Sequence, residues 1–457
     1  MTLSPALLET LRATFDESRL VTDEAERLVY GYDNSRREAM PDAVVFPLTH
    51  DEVVALVRAS RAACVPLVAR GRGTNTTGAS VPIAGGIVVS FERMNRILAI
   101  DPANRTAVVE PGVLNADLQA ALKSRALFWP PDPTSAPYCT IGGNLACNAG
   151  GPRAVKYGAT RDNVLALRAV AGTGEQFRCG KPTTKGAAGY DLTRLLIGSE
   201  GTLAMITEAT LKLTPSPSAT RTMRATYASV EAAAAAVARI MAQPATPSAL
   251  EFLDDAALRL ARAHGGDAIP DAGAMLLIEA DDEEAALGAS VDAIVRAARG
   301  DGAIDVTIAA NAAEVANLWA ARKALSPALR TLSPKKINED VVVPVSRIPE
   351  LVGAMRELSV RHDLPIVCFG HAGNGNIHVN LLPRNADELA RAEACLDAVF
   401  DTVIRLDGTL SGEHGIGLAK RDFMPRALDA DALALMRRVR AAFDPDRILN
   451  PGKLLPD

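Results

Sequence analysis

Three of the six histidines fall in two short glycine-rich segments. Phe369–Asn380 reads FGHAGNGNIHVN, and Gly408–Gly417 reads GTLSGEHGIG. The first segment predicts a strand ending at His371, a glycine-rich loop, and a second strand starting near Ile377. In such a hairpin His371 and His378 can face each other across the pair. His378 and Asn380 are two apart and share one face of their strand. Glu413 would bring a carboxylate from a separate loop. Two imidazoles and one carboxylate with open positions suit a divalent Zn, Mn or Fe ion. His414 is adjacent to Glu413 and is not needed as a ligand, which leaves it for acid–base work. Spacing alone also allows a plainer reading, in which the two histidines are satisfied polar residues near a turn.

A second pair of segments could hold a nucleotide. Arg70–Ser80 reads RGRGTNTTGAS after a short apolar run. Gly71, Gly73 and Gly78 leave backbone N–H groups unobstructed, and successive N–H groups at such a turn form a nest for a diphosphate. By itself it could equally be a tight turn, and it is not the GxGxxG turn that opens a helix. Thr140–Gly151 reads TIGGNLACNAGG. Its small polar side chains are expected to stay out of any core and to let a flat ring approach the backbone.

Alternating strands and helices must position these segments. Val44–Phe46, Pro66–Ala69, Gly86–Ser90 and Thr106–Val109 are predicted strands, with helices over Asp51–Cys64 and Asn115–Arg125. Residues 128–158 are dense in Pro, Gly, Asn, Ser and Thr and read as one long irregular stretch, of the kind usually kept for function. Strands resume at 164–171 and 201–213. Pro215 and Pro217 mark a boundary, giving an N-terminal domain over 1–217 and a second over 218–457 whose tail returns to the first. The second domain predicts strands at 274–279, 341–343, 364–369 and 377–382. Its predicted helices are 282–299, 349–362, 386–405 and 430–443. This is an α+β domain with helices on a mostly antiparallel sheet.

Composition narrows the class. With 457 residues, 48% of them hydrophobic and 23% charged, the chain is globular and long enough for two cores. A net charge of −5 gives no reason to expect nucleic acid or an anionic membrane. Met1–Leu20 mixes charged with apolar residues and reads as an amphipathic helix rather than a signal peptide. No apolar run is long enough for a membrane span. The six cysteines form no CxxC pair, so free thiols and a cytoplasmic setting are expected. His50, His264 and His362 read as surface or helix-end residues, and Trp129 and Trp319 as packing residues.

In order along the chain, RGRGTNTTG, PPDPTSAPYCTIGGNLACNAGG with KYGATRDNV after it, GYDLTRLLIGSEGTLAMITEATLKL and NPGK at 450–453 carry a specific resemblance. The chain resembles the FAD-linked oxidases of the vanillyl-alcohol oxidase and p-cresol methylhydroxylase fold. That resemblance implies a two-domain FAD-binding fold with a C-terminal α+β substrate domain. It implies cofactor contacts at Gly71, Arg72, Gly73, Thr74, Asn75, Thr76, Gly78, Pro131, Thr140, Gly143, Asn144, Asn148, Gly201, Ile206 and Asn450. Some members attach FAD through a histidine in this half. His50 lies well before the glycine loop, so non-covalent FAD is expected, with Cys139 and Cys147 as packed thiols.

The C-terminal motifs resemble those of the D-2-hydroxy acid dehydrogenase branch, which includes D-lactate, glycolate and D-2-hydroxyglutarate dehydrogenases. The resemblance implies His371, His378 and Glu413 as ligands of one divalent metal, zinc first and manganese or iron as alternatives, and His414 as the base. It implies Arg322, in LWAARKALS, as the partner of the substrate carboxylate, with Ser326, Lys336 and Asn380 as further substrate residues. The D-2-hydroxyglutarate enzymes carry a lysine shortly before their VP-type strand. KKINEDVVVPV puts Asn338 there, so a dicarboxylate is not specified. The implied reaction is oxidation of a D-2-hydroxy acid to the 2-keto acid, with hydride to flavin N5. No haem, iron–sulfur or nicotinamide signature is present. The expected acceptor is therefore external: an electron-transfer flavoprotein, a cytochrome, a quinone or O2. A homodimer is compatible with all of this.

Overall fold

The computed structural model describes residues 3–265, 269–333 and 335–456; the side chains of 264, 265, 321, 323, 324, 326 and 327 lie outside the described set. Its contacts divide the chain into two compact units. The first comprises residues 1–151, 158–216 and 413–457, and the second 152–157 and 217–412.

The first unit holds two main sheets. In one, Ala43–Val45, Ile87–Ser90 and Leu67–Arg70 run parallel, with Leu20–Val21 antiparallel at one edge. The helix His50–Ala62 carries the chain from Ala43–Val45 to Leu67–Arg70, and Ile87–Ser90 then returns between those two strands. Its buried face, Val53, Val54, Leu56 and Val57, packs with Leu67, Ile87 and Val89. The glycine-rich loop starts at the carboxyl end of Leu67–Arg70, the end from which parallel strands usually present ligands. The other sheet is antiparallel, in the order Ile97–Asp101, Thr106–Val109, Ala204–Lys212, Val164–Ala171, Gln176–Gly180. Neither Ile97–Asp101 nor Gln176–Gly180 was expected as a strand.

Three readings of this unit change. Ile141–Cys147 is a helix, not irregular chain. Thr140 caps it, its Oγ1 accepting from the Gly143 N–H at 3.1 Å, and Asn148 ends it in the left-handed region at φ 52°. Ile141 and Leu145 are fully buried in the core, so this segment does contribute to packing. His50 is buried rather than superficial. Its ring nitrogens lie 2.7 Å from Thr207 Oγ1 and 3.0 Å from Gln176 Oε1. The N-terminal helix is confined to Pro5–Thr14, capped by Ser4, with Leu7 and Leu11 buried. Trp129 packs in the core as expected, its Nε1 donating to the Asn163 carbonyl at 3.0 Å.

The second unit is built on one seven-stranded sheet, antiparallel throughout. The order is Ala303–Ile308, Ala219–Tyr227, Ala274–Asp282, Ala249–Asp254, Ile366–His371, Asn376–Leu381, Ile337–Val342. The helices Asp255–Gly265 and Ala312–Leu332 share a core with Leu253, Met275, Val367 and Phe369. The helices Val230–Met241, Glu284–Ala298, Ile348–His362 and Ala386–Arg405 also pack in this unit. Every residue of Ala249–Asp254, Ile366–His371 and Asn376–Leu381 is buried, as expected for central strands. Among the described residues no helix is long and apolar enough to cross a membrane.

Candidate active site

In the first unit the glycine-rich loop folds around Asn75. Its Oδ1 accepts from the backbone of Thr77 (2.8 Å) and Ala79 (3.1 Å) and from the Thr77 hydroxyl (2.9 Å). Its Nδ2 donates to the His414 carbonyl at 2.9 Å and approaches Cys147 Sγ at 3.3 Å. Gly73 and Gly78 are at φ +66° and +81°, a region costly for any residue with a Cβ. At Gly71 a Cβ would stand 2.4 Å from Thr140 Oγ1, so the loop meets the cap of the Ile141–Cys147 helix. Thr74 is half-buried in the same loop. Arg72 is exposed, 3.6 Å from Glu92.

The other expected cofactor residues gather around this loop. Asn144 Oδ1 accepts from Asn115 Nδ2 at 3.2 Å, and the same nitrogen reaches the Pro131 carbonyl at 3.0 Å. Asn148 Oδ1 accepts from the Arg161 N–H at 2.8 Å. Asn450 donates to the carbonyls of Ala79 (2.8 Å) and Glu200 (2.7 Å), which fastens the C-terminal tail to the loop and to the GSEGT turn. Ile206 follows in the strand Ala204–Lys212. Two observations fit a bound group. A Cβ at Gly143 or at Gly201 would meet a single neighbour, at 3.4 Å, so both backbones border open space. Thr76 Oγ1 is buried with no hydrogen-bond partner among the described residues.

The base candidate is held by the same elements. Glu200, buried and at φ +53°, accepts from the N–H groups of Ile416 (2.6 Å) and Gly417 (2.8 Å). Burial pushes its carboxyl up to about 7 despite those two donors. The His414 loop is thus gripped by Asn75 on one side and Glu200 on the other. Lys453 is fully buried and donates to the Val81 carbonyl at 2.6 Å; burial lowers its ammonium to about 8.

In the second unit, register sets the other cluster. His371 pairs with Asn376 and His378 with Phe369, so the two histidines are diagonal neighbours on one face rather than directly opposite. Their rings are 5.3 Å apart, edge to face. Asn338 opposite Asn380 and Asp340 opposite His378 continue that face. Asp340 accepts from Asn376 Nδ2 (2.6 Å), Ser411 Oγ (2.8 Å) and the Gly412 N–H (3.0 Å), which fixes the chain just before Glu413. His371 and His378 thus present two imidazoles on one buried face of the sheet, donors that fit a divalent cation.

Glu251, opposite His371 on the neighbouring strand, joins the face. It is completely buried. One oxygen lies 2.5 Å from His371 Nδ1, and the other accepts from Arg322 Nε at 2.7 Å. Burial alone would raise its carboxyl, but the neighbouring His371 and Arg322 outweigh that and hold it at about 2. The Arg322 guanidinium also stacks over the Phe369 ring at 4.7 Å. Lys336 Nζ comes within 3.4 Å of Asn380 Oδ1, so two expected substrate residues meet. The side chain of Ser326 lies outside the described residues.

A family profile described as "FAD linked oxidases, C-terminal domain" matches residues 216–454, and one described as "FAD binding domain" matches 41–180. The chain belongs to the FAD-linked oxidases. It is 41% identical to glycolate oxidase subunit GlcD of Bacillus subtilis, over 96% of this chain and 93% of that one. It is 34% identical to a D-lactate dehydrogenase of Anaerostipes hadrus (99% of this chain, 98% of the relative). It is also 34% identical to a D-2-hydroxyglutarate dehydrogenase of Stutzerimonas stutzeri (98% and 99%). The fold is that of p-cresol methylhydroxylase, TM-score 0.82 at 14% identity, covering 99% of this chain and 96% of the other.

As a member of the FAD-linked oxidases the protein is an FAD-dependent oxidoreductase. Two residues of this oxidoreductase escaped the sequence reading. Glu200 sits inside the quoted GSEGT motif, where a carboxylate between two glycines was the available signal. Glu251 gave one weaker signal, an acid between Leu250 and Phe252 in the mostly apolar strand ALEFLD.

Proposed function

We propose that this oxidoreductase converts a small D-2-hydroxy acid, of the D-lactate, glycolate or D-2-hydroxyglutarate type, to the 2-keto acid. The observation that carries the reading is the His371–His378 pair on a sheet face that also bears Glu251, to which Arg322 is bound. The printed activities of the relatives support the substrate class.

Bound FAD supplies a two-electron acceptor for the hydrogen on C2, and a divalent cation supplies positive charge beside the 2-hydroxyl. His371, His378 and Glu413 would hold that cation. Arg322 would take the substrate carboxylate on its terminal nitrogens, since Glu251 already occupies Nε. His414 would take the hydroxyl proton, from a loop whose backbone Asn75 and Glu200 keep in place. Asn380 and Lys336 would contact the rest of the acid. The electrons would leave to an external acceptor.

The test is anaerobic bleaching of the flavin by D-lactate, D-2-hydroxyglutarate, glycolate, D-malate and the L-enantiomers, before and after EDTA. Bleaching by a D-acid or by achiral glycolate, abolished by chelation and restored by Zn2+ or Mn2+, is the expected result. A flavin that no 2-hydroxy acid reduces would defeat the proposal. Two relatives are named subunits of a glycolate oxidase. Turnover with an acceptor that requires added partner chains, after normal bleaching, would assign this chain to such an assembly.

A further inference from the structure

We infer that Glu251 is a positioning residue that holds His371 and Arg322 in register, coupling metal binding to carboxylate binding through one buried carboxylate. The inference rests on the reading of His371 as a metal ligand.

The geometry gives Glu251 two jobs at once. Its first oxygen, 2.5 Å from His371 Nδ1, is an acceptor and can take only an N–H there. That places the ring hydrogen on Nδ1 and makes Nε2 the nitrogen with a lone pair to offer an ion. A carboxylate behind an imidazole fixes both tautomer and ring orientation and makes the imidazole a better ligand. Its second oxygen holds Arg322 Nε at 2.7 Å. Stacking on Phe369 fixes the plane of the same guanidinium. Two constraints on one plane leave the terminal nitrogen pair directed as a fork, which suits a bidentate carboxylate.

The setting argues that this carboxylate is there for more than packing. Its side chain is completely buried, and taking a carboxylate out of water is costly. An apolar residue in the same strand would avoid that cost. The carboxylate is satisfied by two cationic or polarisable partners from different elements, the strand Ile366–His371 and the helix Ala312–Leu332. Each of those partners carries a separate part of the proposed chemistry. Glu251 touches neither substrate nor ion in this scheme; it acts through the residues that do.

The experiment compares flavin-loaded protein, stripped with EDTA, in four forms: parent, Glu251→Gln, His371→Ala and the double variant. Zn2+ binding to each is measured by calorimetry with a competing chelator, alongside flavin content and melting temperature. The expected result is a Zn2+ dissociation constant raised about 10- to 100-fold by Glu251→Gln. The same change should have no further effect once His371 is alanine, and flavin content should hold throughout. A Glu251→Gln protein that binds Zn2+ within about twofold of the parent would overturn the inference. So would an equal loss in both backgrounds, which would mean that Glu251 acts elsewhere. Should Glu251→Gln not fold, Glu251→Asp, which keeps the charge but shortens the reach, takes its place in the same cycle. A parent chain that takes up no Zn2+ defeats the underlying metal reading instead, a different outcome from a parent that binds beside a variant that binds equally well.

Discussion

Arg322 shows how much a single side chain is constrained before any ligand arrives. Its Nε is bound to Glu251, its plane lies on Phe369, and it is mostly buried. Lysine would keep the charge but has one nitrogen, which cannot answer Glu251 and present a fork to a carboxylate together. Arg322→Lys is therefore expected to raise KM for the 2-hydroxy acid about tenfold or more. Flavin content should be unchanged, because Arg322 is bound to Glu251 and Phe369 and is not one of the residues proposed to hold the cofactor. Steady-state kinetics with an artificial acceptor would measure it. An unchanged KM would remove Arg322 from carboxylate binding. Glu251, by contrast, was hidden from a reader of the sequence. Its two partners are 71 and 120 residues away, and only pairing of the strands brings them together. The histidine motifs were legible because glycines and a repeated polar spacing set them apart from the surrounding core.

At the scale of elements, the contact between the glycine-rich loop and the Ile141–Cys147 helix is the sharpest. A methyl group at Gly71 would stand 2.4 Å from Thr140 Oγ1, the atom that caps the helix. Either the loop or the cap must move, at about 1–3 kcal/mol for overpacking of this kind. Gly71→Ala is expected to lose flavin, read as the flavin-to-protein absorbance ratio after gel filtration. Gly186→Ala is the control, since a Cβ there meets nothing within 4 Å. Equal flavin in both variants would show that the loop tolerates the shift. The same helix explains where sequence reading failed. Two glycines and an asparagine in seven residues argue against a helix by propensity. Burial of Ile141 and Leu145 overrides that, while the start and stop signals, Thr140 and Asn148, were present all along. Many other strands and helices were legible from apolar period, but Ala219–Tyr227, Ala249–Asp254 and Ala303–Ile308 in the second unit were not read. Gln176–Gly180 was missed because its burial is poor, with a single buried residue at Cys179.

For the whole molecule, the two units share an electrostatic feature that predicts a signed pH dependence. Each has a completely buried carboxyl that burial raises to about 7: Glu200 in the first unit and Asp254 in the second. Asp254 accepts from the N–H groups of Ala257 (2.7 Å) and Cys368 (2.8 Å), much as Glu200 accepts from Ile416 and Gly417. A carboxyl raised in the folded state keeps its proton there while the unfolded chain has released it. Folding then binds protons, and stability falls as pH rises from the unfolded value through about 7. The drop is on the order of 3 kcal/mol for each group. Lys453 acts in the opposite direction at higher pH. Its ammonium is lowered to about 8, so stability recovers as pH rises from there toward the ordinary lysine value. The apoprotein is thus expected to be least stable near pH 7–8 and to gain on either side. Glu200→Gln removes one titration while losing one of two N–H contacts. Its deficit in melting temperature against the parent should be larger at pH 5 than at pH 8, and Asp254→Asn should behave alike. Melts of all three proteins at both pH values decide it: a deficit that does not shrink at pH 8 would mean that these buried carboxyls are ionised throughout, held by their backbone donors against the cost of burial.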